Sequence, residues 1–338
     1  MHRLTPHFAW LGGLALGGAA LAQAPEPPPR PFLRKVIQLN DAQLAAMERG
    51  EVVTKQLTTT DKVEVAAFGV VKVKGAIDSL LEKARDPQNF RKVPEIPEIG
   101  RFSTPPRVED LQGLTWPDPD LDALKACKPG KCDVKVGTAG LERLKEINWS
   151  DPGARAKLVA LIREQMTAYA KAYQEGGTDA MGTAVDKAKP KALSVEFREL
   201  LKNSPYLAEY VEPFHAYLEA YPKGSLPQTT DVLYWAKDTF GLKPVVSIYH
   251  ATVHKGDRGV LLANKQIYAS HYFNAGLEII AAVDSPDAGS FYLLDLYRTR
   301  IDPPTGMLAG VLLGKVKGGV EQGVALNLKN AKSKVEAR

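Results

Sequence analysis

Residues 305–334 read TGMLAGVLLGKVKGGVEQGVALNLKNAKSK. Leu308, Leu312, Val316, Val320, Val324 and Leu328 recur every fourth residue and stack into one apolar ridge of a helix. Gly306, Gly310, Gly314 and Gly318 make a second ridge roughly opposite the first. At 1.5 Å per residue the segment spans about 45 Å. Each glycine inside a helix costs about 1 kcal/mol relative to alanine, so a row of them predicts close approach, either of a neighbouring strand or helix or of a bound molecule behind a thin wall. Lys315 and Lys317 interrupt the apolar run and argue against a transmembrane small-residue motif.

The segments before this helix read as strands at 231–236, 243–254, 259–262, 266–273, 277–283 and 291–301, with turn signals at 255–258 and 284–287. Their spacing suits an antiparallel meander. Further upstream, residues 141–222 switch to helical period. Leu158, Leu161, Ile162, Met166, Tyr169 and Tyr173 mark one face of a long helix that starts with Ser150 as N-cap and stops at Gly176-Gly177. Shorter helices follow at 196–201 and 206–221. Near the start, Asn40 caps a helix over 41–49, and strands at 52–57 and 63–73 precede a helix opening at Gly75-Ala76-Ile77. Residues 87–119 are proline-rich and irregular, with an extended stretch at 93–102.

Composition narrows the class. The chain has 338 residues, 44% hydrophobic and 25% charged, with 44 Lys+Arg against 39 Asp+Glu. That balance excludes a disordered or collagenous chain, and the surplus of +5 is spread too evenly to mark a nucleic-acid partner. Residues 1–22 read as an export signal: His2 and Arg3, an apolar run from 8 to 21, and Ala20-Leu21-Ala22 as a cleavage site. The run is shorter than the roughly 20 residues of a spanning helix, so no transmembrane segment is expected in the mature chain, which would be periplasmic or secreted. Residues 23–38 read as a proline-rich, extended leader. Cys127 and Cys132 flank Lys-Pro-Gly-Lys, a turn that brings the two thiols together, and in an oxidising compartment they should form a disulfide.

The order of strand, short helix, irregular segment, meander and long glycine-bearing last helix resembles the helix-grip arrangement of the START-like (SRPBCC) superfamily. The resemblance covers about residues 60–110 and 230–335. It implies an α+β fold, an antiparallel sheet gripped by the C-terminal helix over 39–335, with 141–222 as a large helical insert. In that superfamily the sheet and last helix enclose an apolar cavity for lipids, sterols, polyketides or similar molecules, and no shared catalytic motif carries over. The texture of Cys127 to Cys132, Tyr234-Trp235, Lys243-Pro244-Val245 and Tyr268-Ala269-Ser270-His271-Tyr272 is similar to a group of uncharacterised exported bacterial proteins.

Candidate chemistry is sparse. His250 and His254 share a strand face and His271 sits on a neighbouring strand, so three imidazoles with Glu278 or Asp295 could hold zinc. The competing reading, histidines satisfied in the core or at a turn, is the stronger one, and no metal or other cofactor is expected. Arg298 and Arg300 share a face opposite Asp295 and Tyr297, and either arginine could fork onto a carboxylate or phosphate head group unless both are solvated. Tyr249, Tyr268, Tyr272, Tyr292, Gly310 and Gly314 are the expected lining of the cavity. The leading expectation is a binding or transport protein for a hydrophobic or amphipathic small molecule, in passing contact with a membrane surface. The alternatives are a cyclase- or hydrolase-type cavity enzyme using His250, His271 and Asp295, and an envelope protein-interaction module whose insert docks a partner.

Overall fold

The computed structural model describes residues 28–239, 241–257, 259–303, 307 and 309–337. The signal and cleavage site expected at 1–22, and Gly306 and Leu308 of the last helix, lie outside these residues. Helices α1 (Arg30–Lys35) and α2 (Asp41–Glu48) lead into strands β1 (Val53–Leu57) and β2 (Glu64–Lys74). Then come α3 (Ile77–Ala84), α4 (Pro87–Phe90) and β3 (Glu98–Arg101). A helical block follows: α5 (Asp118–Lys125), α6 (Thr138–Leu144), α7 (Ala154–Gly176), the small hairpin β4 (Thr183–Ala184) and β5 (Lys191–Ala192), α8 (Leu193–Lys202), α9 (Pro205–Tyr210) and α10 (Glu212–Ala220). The chain then builds β6 (Thr229–Asp238), β7 (Val245–Gly256), β8 (Gly259–Ala269), β9 (Phe273–Asp284) and β10 (Ser290–Ile301), and closes with α11 (Ala309–Glu336).

Eight strands form one antiparallel sheet in the order β1-β2-β10-β9-β8-β7-β6-β3. The five consecutive strands β6 to β10 pair as a meander, and β2 joins its far end beside β10. Helices cover both faces. On one, α3 and α11 pack on Val65, Ala67, Val71, Ile280 and Leu293; on the other, the helical block packs on Leu233, Trp235, Ile248, Ile267 and Leu277. Double coverage explains why β2 reads as a nearly unbroken apolar run rather than an alternating one. The fold is therefore α+β, with a large antiparallel sheet and a C-terminal helix packed against it.

On α11 the ridge expected from the sequence is the buried one: Val316, Val320, Val324 and Leu328, continued by Ala331 and Val335. The expected close approach at its glycines is corrected. A Cβ added at Gly310, Gly314 or Gly318 would meet nothing within 4 Å, so these glycines face open space and nothing in the structure explains their cost. The close approach is made instead by a strand glycine. A Cβ on Gly69 of β2 would fall 2.6 Å from both Val324 Cγ1 and Leu328 Cδ1, so its absence lets the helix settle onto the sheet.

Other readings shift locally. The stretch read as leader is folded from Arg30 onward, because Pro31 fits the first turn of α1 and Leu33, Ile37 and Leu39 are buried against Phe68, Val70 and Leu294. The separate strands at 259–262 and 266–273 are one strand, β8, with a bulge at Ile267 opposite Ile248/Tyr249. The helix at 206–221 breaks at Val211, since Pro213 fits only the first turn of α10. Gly153, not Ser150, precedes the first turn of α7, with its N–H bonded to Asp151 Oδ1 at 2.7 Å. Within the proline-rich stretch, β3 adds an edge strand beside β6. The Cys127–Cys132 disulfide is formed, and among the described residues no helix is long and apolar enough to cross a membrane.

Candidate functional site

Strand parity separates the three acid/base candidates. On β7, Val246, Ile248 and His250 project toward the helical block, while Val245, Ser247 and Val253 project toward the α3 and α11 side. His250 meets the Tyr173 hydroxyl of α7 through Nδ1 at 2.9 Å and Asp231 Oδ1 of β6 through Nε2 at 2.8 Å. Because a carboxylate only accepts, Nε2 carries the proton and Nδ1 accepts from Tyr173. Burial pulls the imidazole below its ordinary value against the opposing pull of Asp231. Burial pushes Asp231 up, but bonds from His250, Tyr217 and Thr252 outweigh it and hold the carboxyl below its ordinary value. Lys265, paired with His250 in the β7–β8 register, donates to Thr178 Oγ1 at 2.6 Å and lies 3.8 Å from the Phe197 ring centre; burial holds its ammonium well below the lysine range.

His271 lies in the β8–β9 turn, where Tyr272 adopts φ 59°. Its Nδ1 bonds the Asp133 carbonyl at 2.9 Å and its Nε2 bonds Asp120 Oδ2 of α5 at 3.0 Å. This imidazole staples the turn to the helical block. Asp295 projects to the opposite face, toward α11, in register with Gly69 and Ile280. It is fully buried and neither of its oxygens has a hydrogen-bond partner. Burial first, and then the charge of neighbouring Glu278, raise its carboxyl well above the usual range. Glu278 itself accepts from Arg91 at 2.6 Å, Asn264 at 2.7 Å and Asn327 of α11 at 2.6 Å. The sequence candidates His250, His271 and Asp295 are thus not brought into one constellation, and among the described residues no cluster of three or more His, Cys, Asp or Glu is arranged to hold a metal.

Arg298 and Arg300 face the helical block and are neither solvated nor free to take a head group. Arg298 Nε bonds Glu64 at 2.5 Å, and Arg300 bonds Glu196 at 2.7 Å and Asp61 at 2.8 Å. Both forks tie the sheet to flanking elements, which is why both arginines are more than nine-tenths buried. Tyr249 donates to Asp238 at 2.8 Å and stacks on Tyr234; burial lifts the Asp238 carboxyl to about 6. Tyr292 donates to Glu48 at 2.8 Å on the α2 side, and the Tyr272 hydroxyl accepts from the Lys243 N–H at 3.3 Å. Of the expected lining residues, Tyr268 borders the large cavity described next.

That cavity lies on the helical-block face, the side of the sheet opposite α11, and has a volume of about 420 Å³. Leu161, Met166 and Tyr169 of α7 form one wall and Ile248 and Tyr268 of the sheet another; segments 134–140 and 180–184 close the sides. Those two segments are held together where Gly137 bridges Ala184 and the Val185 N–H bonds the Val136 carbonyl at 2.9 Å. Sequence reading singled out the α7 face but missed both segments. The signal was present as a repeat, Gly137-Thr138-Ala139 and Gly182-Thr183-Ala184, whose small side chains leave the space open. Lys135 is the charged residue among those lining the cavity. Compared with known proteins, the chain matches no family model, and no curated protein matches it.

Proposed function

We propose that this chain is an exported protein of helix-grip, START-like type that binds a hydrophobic or amphipathic small molecule, seated beneath the helical block rather than beneath α11. The observation that carries the reading is the cavity of about 420 Å³, whose walls are mostly aliphatic and aromatic. Its size falls within the roughly 300–1,000 Å³ of small-molecule sites. The disulfide across 127–132 and the export signal read at 1–22 support an oxidising compartment. The order of sheet, helix and C-terminal helix supports the START-like likeness. An enzyme reading draws less support: His250 and His271 each engage both ring nitrogens with protein groups, and neither lies in the cavity wall.

The experiment is mass spectrometry of organic extracts from natively purified protein, alongside Ala184→Phe, which fills the cavity from its wall. Stoichiometric recovery of an apolar compound with the wild type, and its loss from a folded variant, is the expected result. Extracts equally empty for both, with no apolar probe bound by the wild type, would remove the reading.

A further inference from the structure

The rim of the cavity differs chemically from its wall. Deep in the wall every polar group is committed or sealed away. The Lys135 ammonium bonds Asn274 Oδ1 at 2.8 Å and Asp302 Oδ2 at 3.0 Å, with Asp186 Oδ1 at 3.9 Å, so its charge is already balanced. Tyr169 donates to the Ile267 carbonyl at 2.6 Å and lies 3.1 Å from that of Met181, and Tyr268 donates to the Lys135 carbonyl at 3.0 Å. The indole Nε1 of Trp116 is shut off from solvent, so this residue gives the cavity ring carbon alone.

The exposed lining residues, Thr138, Ala139, Ala168, Gly182 and Thr183, mark the opening. The antiparallel bridge of Gly137 with Ala184 brings Thr138 and Thr183, one step beyond it on each segment, to the same end of the pairing. Half-buried Gln165 stands beside Ala168 on one face of α7, three residues before it. Among the described residues, neither the two hydroxyls nor the Gln165 carboxamide takes a protein partner, and none of them is sealed from water. Each of these groups both donates and accepts, and none carries charge. Resting on the cavity reading above, we propose that the ligand is a single-tailed amphiphile with an uncharged head that donates and accepts hydrogen bonds, a hydroxyl or a carboxamide. Thr138, Gln165 and Thr183 hold the head at the rim while the tail lies against Leu161, Ile248 and Tyr268. A head of this kind replaces the water that the three side chains lose when the opening is covered; a purely apolar end does not. An ionised head gives up hydration there and meets no free counter-charge.

Competition against the neutral dye N-phenyl-1-naphthylamine at neutral pH tests this with three ten-carbon probes that differ in the head: decanamide, decanoate and decylammonium. Decanamide should displace the dye at roughly tenfold lower concentration than either ion. Thr138→Val with Thr183→Val keeps both shapes and removes both hydroxyls. In that variant decanamide should weaken about fivefold, roughly what one neutral hydrogen bond is worth, while the dye, which has no carbonyl or hydroxyl, holds its affinity. A preference that came from the apolar wall alone would survive the substitution. Gln165→Met, on a different element, should weaken decanamide in the same direction. Either ion competing as well as decanamide would overturn the proposal. So would a decanamide affinity that neither variant lowers, and in both cases retained dye binding would leave the cavity reading standing. Failure of the dye and of all three probes to bind the wild type would remove both.

Discussion

Asp295→Asn should stabilise this protein, and by more as the pH rises. The carboxyl is fully buried beneath α11, neither oxygen accepts a hydrogen bond, and the neighbouring Glu278 is held charged-side inward by Arg91, Asn264 and Asn327. Burial and the Glu278 charge raise the folded-state value well above that of a free aspartate. A carboxyl raised in this way binds its proton more tightly in the folded than in the unfolded state. Its stabilising contribution is therefore present in acid and is lost as the pH rises from the unfolded value, about 3.9, through the folded one. Each pH unit in that window costs about 1.4 kcal/mol. Asparagine copies the shape of the protonated form, offers an N–H toward Glu278 and does not titrate. Urea unfolding of both proteins from pH 5 upward should give curves that diverge by about 1.4 kcal/mol per unit, the variant being the more stable, until the folded value is passed. Parallel curves would show that Asp295 finds partners the structure does not give it. A variant that is less stable at every pH would refute the assignment of the proton to this residue.

Gly69→Ala should cost about 1–3 kcal/mol, because its Cβ would collide with Val324 and Leu328, whereas Gly314→Ala in open space on α11 should gain up to about 1 kcal/mol; thermal melts of the two variants should move in opposite directions. Arg298→Met strips Glu64, which is 2% exposed, of its guanidinium and should cost about 3–5 kcal/mol in urea unfolding; the double variant with Glu64→Gln should recover part of the loss. Replacing Cys127 and Cys132 together by serine opens a loop with a sequence separation of 5, for which chain entropy gives about 2 kcal/mol, measurable as a reduced denaturation midpoint matched by the wild type under reductant.

Strong periodicity carried the fold. The α11 ridge, the meander and the Asn40-capped α2 are each set by a local pattern that tertiary packing reinforces, so their reading survives in the structure. What the pattern does not contain is which side chain a given face meets. Arg298 and Arg300 share a face with Leu294 and Leu296, and whether that face is solvent, cavity or helix depends on where α8 and the segment before β2 come to rest, 100 or more residues away in sequence for the Glu196 partner of Arg300. The same holds for Asp295 and Glu278, whose strand parity was readable but whose neighbour Asn327 arrives from the last helix. The cavity was the least legible feature. Its walls are made of small residues whose role is to leave volume unfilled, and sequence patterns record what fills space more readily than what leaves it open.

The two faces of the sheet solve different problems. Under α11, volume is consumed: strand glycine Gly69 admits the helix, and polar groups are knitted into the Arg91, Asn264 and Asn327 network around Glu278. Under the helical block, Gly-Thr-Ala segments hold apart walls that larger residues would close. The cavity is partly open to solvent, so water enters it when no ligand is bound. Its volume of about 420 Å³ holds about 14 molecules at about 30 Å³ each, facing walls that are mostly apolar. An apolar ligand displaces those molecules and covers the walls, so binding should carry a negative heat-capacity change. Calorimetric titration of 2-undecanone at several temperatures should give an enthalpy that becomes more favourable as temperature rises. An enthalpy independent of temperature would mean that the probe binds outside the cavity.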